Sequence, residues 1–207
     1  AAVKVIGAVY KIPLTGLIGG TGRGYFSTAY TLFMPVHAIT LGAFPVALSG
    51  LVSKYRATGD SARVAALQRS ACGLFFWVGL AGTALMVLLA GPYTRLVAGA
   101  PKAVYTVLIL APTALFSAMA AAHRAFAEGH LNMVPTSVCQ VLEALFKMVF
   151  GLLFAKLSMG RLYQIYLDTG MVLGNRAESE TAALSMMYPV TAACAMLGVT
   201  LGALAAW

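Results

Sequence analysis

Apolar residues run along this chain in long blocks separated by short polar connections. The blocks fall at about 2–18, 25–52, 66–90, 102–124, 133–157 and 182–206. About 20 apolar residues cross the hydrocarbon core of a bilayer as a helix, so the pattern predicts six transmembrane helices. Gly19-Gly20-Thr21-Gly22-Arg23-Gly24 is expected to break the first helix from the second. The second carries no Asp, Glu, Lys or Arg from Gly24 to Ser53, and Pro35 and Pro45 predict that it is kinked or discontinuous. Gly91-Pro92 closes the third span and Pro112 interrupts the fourth. His123–His130 is read as a connection, and so is 158–181, with Leu162–Leu173 as a short interfacial helix within it. Pro189 lies inside the sixth span.

Against this background the polar positions inside the blocks stand out. Lys4 and Lys11 lie seven apart in the first block, so a helix puts both on one face. A cation at membrane depth costs roughly 2.5–3.5 kcal/mol on insertion scales, and is tolerated where it faces other helices or a water-filled cavity. Lys4 either snorkels to the membrane edge or joins Lys11 in lining a cavity that attracts an anion. Arg23 either sits among the headgroups or meets a substrate at the cavity mouth. In the fifth block Thr136, Gln140, Glu143 and Lys147 follow at spacings of four, three and four, and so share one helical face. Glu143 and Lys147 form an i,i+4 pair with the acid first, the better orientation. That pair locks the fifth span to its neighbours, lines a cavity, or offers Glu143 to a coupling proton or cation. Lys4, Lys11 and Lys147 against Glu143 leave the interior net positive, which suits a diphosphate better than a lipophilic cation. Arg124 and Glu128 read as a surface pair, and His37 as a packing histidine.

Composition agrees with the pattern. Of 207 residues 60% are hydrophobic and only 10% charged, where a soluble domain would have roughly 25% charged. The net charge of +8 therefore points to anionic lipid or an anionic substrate. No basic tract with interleaved aromatics argues for nucleic acid. Cys72, Cys139 and Cys194 lie in three different blocks and read as small packing residues. No nucleophile–base set, metal-ligand spacing or paired carboxylates are present, so the chain reads as neither an enzyme nor a cofactor protein. The glycine run lacks Gly-Lys-Ser/Thr and joins two membrane helices, which excludes a phosphate loop. Loop charge places the dense basic cluster Lys54, Arg56, Arg63 and Arg69 on the cytoplasmic side. The absence of an initial methionine reads as a fragment or a processed chain.

Several stretches resemble the stage V sporulation protein B group. They are Val3–Thr15, Gly20–Tyr25, Gly42–Ser49, Asn132–Thr136, Gln140 with Glu143, and Met196–Gly202. That group belongs to the polysaccharide-transporter branch of the multidrug/oligosaccharidyl-lipid/polysaccharide flippase superfamily, with the lipid II flippases among its relatives. The resemblance implies an all-α membrane protein of two six-helix lobes. Residues 1–207 would be the N-terminal six-transmembrane-helix bundle, with the C-terminal lobe outside this chain. It implies alternating access, moving a polyprenyl-diphosphate-linked glycan across the bacterial cytoplasmic membrane, with membrane lipids and the missing C-terminal lobe as partners. Lys4 matches a cavity arginine of the lipid II flippases in charge. Their following Arg-Asp pair falls on Tyr10-Lys11, and their double arginine in the second helix has no counterpart near Ala38–Leu41. The expected substrate-binding set is Lys4, Lys11, Arg23, Gln140, Glu143 and Lys147. Two other readings stay open: a cation-coupled multidrug antiporter working through Glu143, and a non-transporting scaffold for cell-wall enzymes.

Overall fold

The computed structural model of the chain describes residues 2–176 and 179–207; the side chain of Lys4 lies outside the described residues, as does Glu178. Among the described residues the fold is all-α apart from one hairpin. Helices α1 (Ala2–Leu41), α2 (Phe44–Ala57), α3 (Ser61–Pro92), α4 (Val104–Leu110), α5 (Pro112–Gly129), α6 (Val134–Thr169) and α7 (Glu180–Ala205) follow in order. A π-helical turn at Tyr93–Val97 and a 3-10 turn at Pro101–Ala103 join α3 to α4. Among the described residues five helical segments are long and apolar enough to cross a membrane: Val5–Ala57, Ser61–Val97, Pro101–Gly129, Val134–Thr169 and Glu180–Ala205.

The first two sequence-expected spans thus run together as one bent helical path. Their separation is narrower than the glycine run suggested. Only Gly19 leaves helical geometry, at φ 64 and ψ −178; residues 20–24 continue the helix. The bend is sharp. Tyr10 and Phe26 stand 16 positions apart, which a straight helix would separate by about 24 Å, yet their ring centroids are 6.4 Å apart. Pro13 and Pro35 both lie inside α1, and the path is interrupted at Gly42–Ala43, with Pro45 in the first turn of α2. A proline there loses no helical hydrogen bond.

Two further expectations are corrected. His123–Gly129 is no connection: it completes α5, whose alanine-rich sequence favours helix. Residues 158–169 do not form a loop or a separate interfacial helix either. They extend α6 to 36 residues, about 54 Å of helix against roughly 30 Å of hydrocarbon. Gly170 ends α6 in the left-handed conformation, its N–H donating to the Tyr166 carbonyl. Strands β1 (Met171–Val172) and β2 (Asn175–Arg176) follow, paired antiparallel. Their two turn residues, Leu173 at φ 52 and Gly174 at φ 82, have the left-handed pattern that suits a tight hairpin. Val172 is buried against Ala183 and Met187 at the start of α7, and the Ser179 hydroxyl caps that helix by accepting from the Ala182 N–H.

The main core joins α1, α3, α4, α5 and α7 through Phe33, Val36, Met86, Leu110, Ala114 and Met196. Small residues set the closest approaches, as in membrane bundles generally. On α7, Gly198 faces the backbone of Gly151 on α6, and Gly202 faces the Glu143 carbonyl. Pro112 removes a donor where α4 meets α5, and threonines of neighbouring helices serve the backbone there. The Thr200 hydroxyl donates to the Ile109 carbonyl at 2.9 Å and lies 3.0 Å from the Thr113 hydroxyl. Thr83 donates to the Ala111 carbonyl at 3.2 Å. Thr200→Val is therefore expected to cost about 1 kcal/mol. In detergent this reads as a thermal midpoint lower by about 2–4 °C, with Thr200→Ser restoring it.

Candidate functional site

Because Gly19 folds α1 back on itself, its two arms face one another across a gap that α6 borders on one side. The gap is a cavity of about 440 Å³, with Tyr10, Lys11 and Thr15 from the first arm, Arg23, Ser27 and Tyr30 from the second, and Lys147 from α6 on its wall. A second cavity, about 580 Å³, is lined by His37 of α1, Ser117, Arg124 and Glu128 of α5, and Thr136, Gln140, Glu143 and Lys147 of α6. Tyr30, Met34 and Lys147 line both. They form the partition between the two.

Lys11, Arg23 and Gln140 are exposed, each towards one of these hollows. Lys11, Arg23 and Lys147 share the first cavity. Gln140, Glu143 and Lys147 share the second, with Thr136 on the same face of α6. The expected Glu143–Lys147 ion pair is not what the structure shows. The Lys147 ammonium donates to the Tyr30 hydroxyl and sits 4.7 Å from that ring's centroid. Glu143 instead meets Arg124 of α5, Nη1 to Oε2 at 3.6 Å. The expected Arg124–Glu128 surface pair is likewise replaced: Glu128 accepts from the Thr136 hydroxyl at 3.0 Å. The reason is tertiary. Pairing within one helix offers only a few tenths of a kcal/mol, and the approach of α5 to α6 offers each acid a partner across the interface.

Three residues of the site escape the sequence reading. Arg124 is one. Its side chain is only 19% exposed, and it lines a cavity instead of a free surface. Tyr30 is the second, and its signal was available. A tyrosine within an uncharged span must place its hydroxyl against a polar partner. Tyr10 is the third: it is 5% exposed, lies on the wall of the first cavity, and packs against Gly151. His37 stacks on Phe33 with ring centroids 5.2 Å apart. Its Nδ1 lies 3.5 Å from the Ser117 hydroxyl, so it packs as expected while also facing the second cavity.

Chemically the arrangement is two hollows with mostly apolar walls, carrying several cations and one carboxylate that lies beside Arg124. Comparisons with known proteins point the same way. Residues 1–169 match the family described as polysaccharide biosynthesis protein. The lipid II flippase MurJ of Bacillus subtilis is 28% identical over 158 residues, covering 71% of this chain and 28% of that protein. The stage V sporulation protein B of the same organism is 25% identical over 140 residues, covering 68% of this chain and 27% of that protein. The matched part thus spans little more than a quarter of each curated relative's length. No solved structure matches the chain. A flippase moves its cargo without making or breaking a bond in it, and such relatives are not catalytic enzymes.

Proposed function

We propose, for a chain that belongs to the polysaccharide biosynthesis protein family, that it is the N-terminal lobe of a flippase for a lipid-linked, diphosphate-bearing saccharide. The cargo would be a lipid-linked oligosaccharide or a peptidoglycan precursor, carried across the bacterial cytoplasmic membrane by alternating access. In this reading the two arms of α1 cross the membrane separately, which makes six crossings in residues 1–207. A second lobe closes the open side of both cavities. The observation that carries the reading is that Lys11 of α1 and Lys147 of α6 line one cavity. Two ammonium groups on the wall of one hollow can hold a diphosphate by charge-assisted hydrogen bonds. Arg23 adds a third cation to that hollow, while Gln140 and Glu143 line the adjoining one. Lys4, on the first arm of α1, is assigned to the same set from its spacing to Lys11.

Lys11→Ala and Lys147→Ala in the full-length protein are expected to lower transbilayer movement of a fluorescent polyprenyl diphosphate on the order of tenfold or more, with normal membrane insertion. Transport at the unsubstituted rate in both variants rules the site out. The multidrug-antiporter reading needs a carboxylate free for a cation, and Glu143 is already beside Arg124. Drug efflux that follows Glu143 would restore that reading. The scaffold reading gains if cell-wall enzymes co-purify and function survives loss of Lys11 and Lys147.

A further inference from the structure

The Arg124–Glu143 contact is not a finished ion pair. Its 3.6 Å separation is beyond hydrogen-bond reach, so the contact takes up none of the five guanidinium N–H donors. The arginine is four-fifths buried, at 19% exposure, and its carboxylate partner is twice as open, at 38%. Both line the second cavity, as do His37, Gln140 and Lys147. A guanidinium that lines a cavity and makes no hydrogen bond among the described residues can take a planar or tetrahedral oxyanion, and phosphate fits it in bidentate fashion.

Glu143 also has a second cation within reach. Lys147 lies one helical turn along the same face, and at present it leans on the neutral Tyr30 hydroxyl. The carboxylate therefore has two cations near it: both line the second cavity, and Lys147 also lines the first.

We infer that Arg124 is a phosphate-binding residue of the second cavity, and that Glu143 is an alternating counter-ion that holds whichever of Arg124 and Lys147 the cargo phosphate has left. This rests on the diphosphate-flippase reading above and adds a second station to it. When a phosphate takes Arg124, Glu143 turns to Lys147. When the phosphate passes the Tyr30–Lys147 partition, Glu143 returns to Arg124 and closes the way back. No proton or bond is exchanged. With a phosphate bound, each cation has one anion; with none bound, the Tyr30 hydroxyl stands in for the anion at Lys147, which limits the bare charge in a low-dielectric interior.

The test uses the full-length protein in nanodiscs, with farnesyl diphosphate, inorganic pyrophosphate and phosphatidylglycerol as separate probes. Binding is read by native mass spectrometry, and turnover by movement of a fluorescent polyprenyl diphosphate. Glu143→Gln keeps the shape and frees both cations. It is expected to bind farnesyl diphosphate on the order of tenfold more tightly while turning over more slowly. Arg124→Gln is expected to bind it on the order of tenfold more weakly, and Arg124→Lys to recover only part of that. The double variant should bind more weakly than Glu143→Gln alone, because Arg124 is no longer there to be freed. Tighter pyrophosphate binding by Glu143→Gln assigns the site to the diphosphate itself; a gain seen with phosphatidylglycerol alone assigns it to a lipid headgroup and overturns the inference. Glu143→Gln binding farnesyl diphosphate no more tightly than the unsubstituted protein overturns it too, as does Arg124→Gln within twofold of it. If Lys11→Ala weakens binding while the Arg124 and Glu143 variants do not, the flippase reading stands and this inference falls. If the unsubstituted protein binds none of the diphosphates, both fall together.

Discussion

Replacing Gly198 with alanine is expected to force α7 off α6 and lower the thermal midpoint of the protein in detergent on the order of 10 °C. The added methyl has nowhere to go. Its carbon would lie inside contact distance of the Gly151 N and Cα, and 2.9 Å from the Phe150 carbonyl carbon. These are backbone atoms, which cannot rotate away as a side chain can. The two helices must separate, at a cost of about 3 kcal/mol or more. One turn along α7, Gly202 stands against the Glu143 carbonyl, with a built Cβ at 2.8 Å from it and 3.3 Å from the Lys147 N. Separation therefore also moves Glu143 and Lys147 of α6 out of register with α1 and α5. Gly198→Leu is expected to abolish recovery of folded protein. Gly160→Ala on the same α6 has open space around its Cβ, and should be neutral or slightly stabilising because alanine favours helix. Fluorescence-detected size exclusion across a temperature series reads all three. A Gly198→Ala protein as heat-resistant as Gly160→Ala would show that this helix contact is looser than described.

Gly19→Val is expected to open the bend of α1 and empty the first cavity of its shape. At φ 64 and ψ −178, Gly19 occupies a region that is essentially closed to side-chain-bearing residues, at a cost of about 1–3 kcal/mol. Its Cβ would also meet the Tyr188 ring at 2.8 Å. The ring can swing aside, but the backbone angle cannot be relieved without unbending the helix. Tyr10→Cys and Phe26→Cys, at positions whose rings are now 6.4 Å apart, should join through a short thiol crosslinker in the parent background and fail to join with Gly19→Val present. Gly20→Ala, in helical backbone with open space at its Cβ, should leave the crosslink intact. Crosslinking undiminished by Gly19→Val would mean that the fold-back does not depend on that residue.

These two glycines mark the limit of what the sequence alone discloses. The glycine run announces a break, but nothing in Gly19–Gly24 says that one residue carries it and that helix resumes at once. The apolar blocks announce membrane helices, and the spacing of Thr136, Gln140, Glu143 and Lys147 announces a shared face on α6, because both follow from local periodicity. Charge pairing is another matter. The i,i+4 rule sees only neighbours on one helix, so it pairs Glu143 with Lys147 and Arg124 with Glu128. The folded chain pairs Glu143 with Arg124 and Glu128 with Thr136, through an α5–α6 approach that no local pattern encodes. The extension of α6 through 158–169 is hidden for a related reason. Those residues are too polar for a membrane block, yet helix needs only favourable propensity and the cover that the hairpin provides through Val172.

Lys147 leans on a phenol, not on an acid, and that choice of partner governs how the wall between the two chambers behaves. A neutral oxygen gives an ammonium a hydrogen bond, whereas an ionised one adds the attraction of opposite charge. On the proposed diphosphate reading, an arriving oxyanion would outcompete Tyr30 for the lysine, and the hydroxyl would take the lysine back once it left. On that reading, the wall between the hollows would thus yield to negative guests and not to neutral ones.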